Sequence, residues 1–160
     1  MKSDQYRGLI IGVGTEYSDD AFGLLVARHL AGRTFDGIDV ITHSGEGASL
    51  MEAWQGYDSV VIVDASQSGA PVGTKYRFDT TVERIPTRTF RYSTHAFGVA
   101  EAVETARALK RLPRRMIVIG VEGESFQPGA SIDPRLEPLV REVAAQALAE
   151  IGADVFSERT

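Results

Sequence analysis

Ser59-Val60-Val61-Ile62-Val63-Asp64 sets four consecutive β-branched apolar residues between a serine and a carboxylate. β-Branched side chains suit a pleated surface, and a run with no polar alternation reads as a strand covered on both faces. Such strands belong to parallel sheets sandwiched between helices. Outward from this run, Leu9-Ile10-Ile11-Gly12-Val13 and Met116-Ile117-Val118-Ile119 carry the same signature. Ile38-Asp39-Val40-Ile41 alternates and supplies a further strand. Lys75-Tyr76-Arg77-Phe78, after the turn Pro71-Val72-Gly73, alternates as a half-exposed edge strand.

Helical patterns fill the gaps. Residues 21–30 put Phe22, Leu25, Val26 and Leu30 on one face, with Gly32 as the stop, and 48–54 makes a short helix. A third helix turns Val99, Ala100, Val103 and Ala106 inward. The last has Asp133 as N-cap, Pro134 at its first position and an unbroken apolar stripe from Leu136 to Ile151, with Gly152 ending it. The stretch 79–92 lacks periodicity and reads as a surface excursion with functional potential. The order βαβαβ, edge strand, αβα predicts an α/β fold: a mainly parallel sheet with helices on both faces. A single domain over 1–152 with a flexible tail over 153–160 is expected.

The 160 residues carry a net charge of −5 and no cysteine. The acidic balance argues against a nucleic-acid binder, which would show a basic stripe. The absence of cysteine removes disulfides, thiolate metal sites and a cysteine nucleophile, and fits a reducing cytoplasm. The polar start and the lack of any membrane-length apolar run predict a cytoplasmic protein without a membrane partner.

Open α/β sheets bind ligands beyond the carboxyl ends of their strands. Asp20 follows the first strand after Gly12-Val13-Gly14-Thr15-Glu16-Tyr17-Ser18-Asp19, Asp64 ends the central run, and His95 follows Tyr92-Ser93-Thr94 at a helix start. Two carboxylates and an imidazole make a first shell for a borderline divalent metal, or a set for acid–base chemistry. Each has a plainer reading. Asp64 also suits a turn cap, His95 a helix start, and one of the adjacent pair Asp19 and Asp20 needs only to complement a helix dipole. Two neighbours on a helix point about 100° apart, so Asp20 is taken as the site residue with Asp19 as the fallback. His43 ends the second strand on the same edge, whereas His29 sits mid-helix as a structural residue. Gly12-Val13-Gly14 lacks the third glycine of a dinucleotide fingerprint, Tyr17 standing there, so these glycines are read as permitting a tight turn at the strand end. Ser66 and Ser68 lie near Asp64 without an adjacent base to activate them.

Gly12-Val13-Gly14 with Asp19-Asp20-Ala21-Phe22-Gly23, Val61-Ile62-Val63-Asp64-Ala65 with Pro71-Val72-Gly73-Thr74, Ser93-Thr94-His95-Ala96-Phe97-Gly98 and Ile119-Gly120-Val121-Glu122 resemble, in order and spacing, four motifs of the nickel–iron hydrogenase maturation proteases. The resemblance runs from about Leu9 to Ile151. It implies a three-layer α/β/α sandwich around a five-stranded sheet. It also implies an endopeptidase that removes the C-terminal extension of a nickel-loaded hydrogenase large-subunit precursor. Two acidic residues and a histidine of that family contact the substrate's nickel, and by motif these fall on Asp20, Asp64 and His95, with the two carboxylates as catalytic candidates. The nickel would arrive with the substrate, so no tightly bound cofactor of the protein's own is expected.

Two departures from the family pattern stand out. Thr15 replaces an asparagine, in a loop one residue shorter than usual, and His43-Ser44-Gly45-Glu46-Gly47 replaces a segment tied to substrate recognition. Two rival functions follow from the same residues. One is a receiver-like signalling domain phosphorylated at Asp64, which would need a lysine where Val121-Glu122 stands. The other is a non-catalytic protein that only binds the hydrogenase precursor.

Overall fold

The computed structural model describes residues 5–33, 35–86, 89 and 97–159. In chain order the elements are β1 (Gly8–Val13), a single 3-10 turn (Ser18–Ala21), α1 (Phe22–Ala31), β2 (Ile38–His43), α2 (Gly47–Ala53), β3 (Ser59–Ser66), β4 (Lys75–Asp79), α3 (Val99–Ala108), β5 (Arg115–Glu122) and α4 (Glu137–Arg159). The five strands form one sheet in the order β2-β1-β3-β5-β4. All pairs are parallel except β4 with β5, and β4 is an edge, as its alternation predicts.

Side-chain parity along the strands sorts the core into two layers. Ile10, Val61, Val63, Ile117 and Ile119 pack against α1 and α4 on one face. Leu9, Ile11, Val60, Ile62, Met116 and Val118 pack against α2 and α3 on the other. Every one of those strand residues is fully buried. This is the three-layer sandwich, and it explains why the middles of the central strands are continuously apolar while the edge strand β2 is only partly buried.

The chain leaves β1 for α1 on one face, and leaves β3, through β4, for α3 on the other. A crevice at the carboxyl ends of β1 and β3 follows from these opposite departures.

Several expectations need correction. β3 does not end at Val63 but runs to Ser66, so Asp64 sits inside the strand, paired with Gly120. β5 likewise extends to Glu122. Gly12 and Gly14 serve close approach rather than a turn. A Cβ at Gly12 would run into the Gly23 carbonyl, and one at Gly14 into the Asp20 carbonyl. Gly23, at the start of α1, meets the carbonyls of Val13 and Val63 in the same way. Close packing of the helix on the strands is therefore served by Gly23, although Tyr17 stands where the dinucleotide fingerprint has its third glycine. Gly152 does not stop the last helix, which continues to Arg159. Gly152 keeps a negative φ, and a lone glycine inside a helix only weakens it. At the other end, Asp133 and Pro134 form a turn and α4 starts at Glu137. The excursion over 79–92 is not all surface, because Thr80, Ile85 and Thr89 are buried anchors.

Candidate functional site

Asp20 closes the connection from β1. Gly14 N donates to the His43 carbonyl at 3.0 Å, fixing the strand end, and Thr15 N donates to the Asp20 carbonyl at 3.3 Å, closing the loop. The Thr15 hydroxyl donates to Asp20 Oδ2 at 2.7 Å, so the residue that departs from the family pattern orients the carboxylate. Asp19 is turned the other way and is 1% exposed. Its Oδ2 accepts from Glu124 N (2.8 Å) and Ser125 N (3.0 Å), and its Oδ1 from Asp133 N (2.7 Å). The dipole role expected for one of this pair thus gives way to a stronger one. Asp19 is a backbone clamp with its acceptors committed, and Asp20 is the member that interacts with Asp64.

Asp64 lies on β3 two residues before its end. By parity with Val60 and Ile62 it belongs to the α2/α3 side of the sheet. Burial, and then the negative charge of Asp20, push its carboxyl well above the ordinary range, with a backbone hydrogen bond at Ala65 working the other way. A carboxyl raised by desolvation and by a like charge holds its proton more tightly than an ordinary aspartate does. That state suits proton transfer, and it also suits release of the proton when a cation arrives. Functional carboxylates are often tuned in this way.

His95 lies outside the described residues, so its place beside the two carboxylates stays an expectation. The helix it was expected to open begins at Val99, with Gly98 as N-cap, and Gly98 N donates to Glu101 Oε2 at 3.1 Å. Among the described residues no three His, Asp or Glu side chains are grouped to hold a metal ion. His43 reaches the same edge of the sheet, but its Nδ1 accepts from Gly45 N at 2.9 Å and shapes its own turn. In the segment after it, Gly45 has φ +95°. Glu46 caps α2 by accepting from Ala48 N (2.9 Å) and Ser49 N (2.8 Å). Gly47 N donates to the Phe97 carbonyl at 2.8 Å, tying this segment to the approach to α3.

Sequence reasoning missed two residues here. Thr15 was noted only as a substitution. Glu122 enters the sequence reading only as the end of the last family motif and as a residue that is not a lysine, yet it is buried and accepts from Ser66 Oγ at 2.8 Å and Gly69 N at 2.9 Å. A polar residue closing an apolar strand was the available signal, but burial of its carboxylate depends on a loop 53 residues earlier in the chain.

The sequence model of a family described as hydrogenase maturation protease matches residues 25–153, a span that includes Asp64 and starts after Asp20. Hydrogenase 2 maturation protease of Escherichia coli (strain K12) is 26% identical over 150 residues, covering 91% of this chain and 90% of that protein. The hydrogenase expression/formation protein HoxM of Azotobacter vinelandii is 31% identical over 153 residues, covering 90% and 73%. The solved structure of the hydrogenase maturating endopeptidase HybD from E. coli superposes with a TM-score of 0.73 at 23% identity, covering 92% of this chain and 93% of that one, a likeness of fold.

Proposed function

This chain belongs to the hydrogenase maturation protease family, and from that premise we propose that it cuts the C-terminal extension from a nickel–iron hydrogenase large-subunit precursor once nickel is in place. The observation that supports the reading is the placement of Asp20 in the turn after β1 and Asp64 on β3, on either side of the switch, where burial first and the negative charge of Asp20 second raise the Asp64 carboxyl. Two mutually repelling carboxylates are relieved by a cation docking between them. In this reading the substrate's nickel is that cation, with His95 as the third contact. Carboxylate and imidazole bind such a metal more weakly than thiolates would, so the site can test for the metal without removing it.

For the chemistry, one of the two carboxylates accepts a proton from a water that adds to the scissile carbonyl. The C–N bond then breaks and the proton passes to the leaving amine. The substrate metal would polarise the carbonyl. Thr15 keeps Asp20 oriented through its hydroxyl. No described helix is long and apolar enough to cross a membrane.

Incubation with nickel-loaded and metal-free precursor, followed by mass spectrometry, tests the proposal. Shortening of the loaded precursor alone is expected. Equal cutting of both would remove the metal test, and binding without shortening would favour the non-catalytic rival. The receiver reading finds no support in the family membership, and β5 ends on a buried glutamate rather than the lysine it needs.

A further inference from the structure

Two carboxylates at this edge, Asp19 and Glu122, are each 1% exposed and play no part in the reaction above. Glu122, the last residue of β5, gathers the chain that leaves β3. Its carboxylate accepts from Ser68 N at 2.5 Å, Gly69 N at 2.9 Å, and the hydroxyls of Ser66 (2.8 Å) and Ser68 (3.1 Å). Asp19 does the corresponding work for the turn that carries Asp20. That turn has no side-chain cap of its own, and Ser18 within it holds φ at +52°. A non-glycine residue in that region is strained unless its surroundings hold it there. The holding comes from outside the turn. Asp19 binds Glu124 N, Ser125 N and Asp133 N, Asp19 N donates to the Ser125 carbonyl at 3.1 Å, and the Ser18 hydroxyl donates to the Gln127 carbonyl at 2.9 Å.

The two sets of bonds meet on one short piece of backbone. Gly123 N donates to the Ser66 carbonyl at 3.0 Å, and a Cβ placed on Gly123 would lie 2.7 Å from the Asp19 Cβ. We propose that Asp19 and Glu122 are paired positioning residues which, through the backbone of 122–125, hold Asp20 and Asp64 at the separation the reaction needs. The inference rests on the reading of Asp20 and Asp64 as the reacting pair. A carboxylate suits this task because its two oxygens can accept from several converging N–H groups at once. Without Glu122, the Ser68 and Gly69 amides lose their acceptor, and the end of β3, two residues beyond Asp64, is released.

The test measures kcat and KM on nickel-loaded precursor, together with amide hydrogen exchange, for the unaltered protein and for Glu122→Gln, Glu122→Ala, Asp19→Asn and Gly123→Ala. Misplacement of reacting groups by about 1 Å costs up to about a hundredfold in rate. A fall in kcat of about tenfold or more with KM within about twofold is therefore expected. Glu122→Gln, whose amide oxygen still accepts, should fall between the unaltered protein and Glu122→Ala. Exchange should quicken at Ser68 and Gly69 in the Glu122 variants and at Glu124 and Ser125 in Asp19→Asn, while Ile10 and Ile62 in the core stay protected. A folded Glu122→Ala protein with normal kcat would overturn the proposal, as would losses that only track the folded fraction. If the unaltered protein does not cut the precursor, the functional reading falls. Exchange then decides the clamp by itself, and unchanged Ser68 and Gly69 amides in Glu122→Ala would end it.

Discussion

At the residue scale, Asp64 makes a prediction whose sign is fixed. Its carboxyl is raised above the ordinary 3.8 by burial first and by the charge of Asp20 second. The folded protein therefore holds this proton more tightly than the unfolded chain does. The protonated carboxyl contributes stability below the ordinary aspartate range, and that contribution is lost as pH rises toward the raised native value. In thermal denaturation at a series of pH values, the difference between Asp64→Asn and the unaltered protein should move in favour of the variant across that window. A difference that stays flat with pH would refute the assignment. The same variant should yield no shortened precursor. Asp19→Asn behaves differently, because one acceptor oxygen facing backbone N–H groups becomes a donor. It should cost about 1–3 kcal/mol of stability in denaturant titration, more than the few tenths expected had Asp19 only served a helix dipole. The sequence marks Asp20 and Asp64 as carboxylates near strand ends, and the structure puts Asp64 two residues before the end of β3. Which of the neighbours Asp19 and Asp20 meets Asp64 was decided by three backbone amides from segments more than a hundred residues away.

At the element scale, α1 crosses β1 and β3 with glycine on both sides of the contact. A Cβ at Gly12 would strike the Gly23 carbonyl, and one at Gly23 the carbonyls of Val13 and Val63, all of them backbone atoms with no rotamer escape. Gly12→Ala is expected to cost about 3 kcal/mol or more, the upper part of the overpacking range, and to displace the turn bearing Asp20. A melting temperature close to that of the unaltered protein would contradict this. Glu46 caps α2 through Ala48 N and Ser49 N. Glu46→Ala should lower stability by about 1 kcal/mol, measured by denaturant titration, with precursor cutting retained if the cap is its main duty. Periodicity located all of these elements. Their ends moved by a few residues because extra strand pairs, such as Ser66 with Glu122, depend on partners far along the chain.

At the scale of the whole molecule, the sheet order places opposite helix departures between β1 and β3, with Asp20 in the turn after β1 and Asp64 on β3. If nickel belongs to the substrate, the purified protein should retain no stoichiometric nickel or zinc after extensive dialysis, as read by elemental analysis. Retained metal would point to a self-contained metalloprotease instead. The basis is chemical: two carboxylates and an imidazole without a thiolate make a weak site.

The apolar runs at Leu9, Val60 and Met116, the helical stripes between them and the ordered motifs were enough to derive the α/β sandwich, and with the motifs the protease family, from sequence. Hydrophobic period and strand-end position are local properties, carried by the residues themselves. Only the tertiary structure separated Asp19 from Asp20, made Thr15 an orienting donor, turned Gly12, Gly14 and Gly23 into packing sites and buried Glu122 among the amides of a distant loop. These are relations between segments far apart in the chain, and a carboxylate's role depends on which amides and charges folding brings to it.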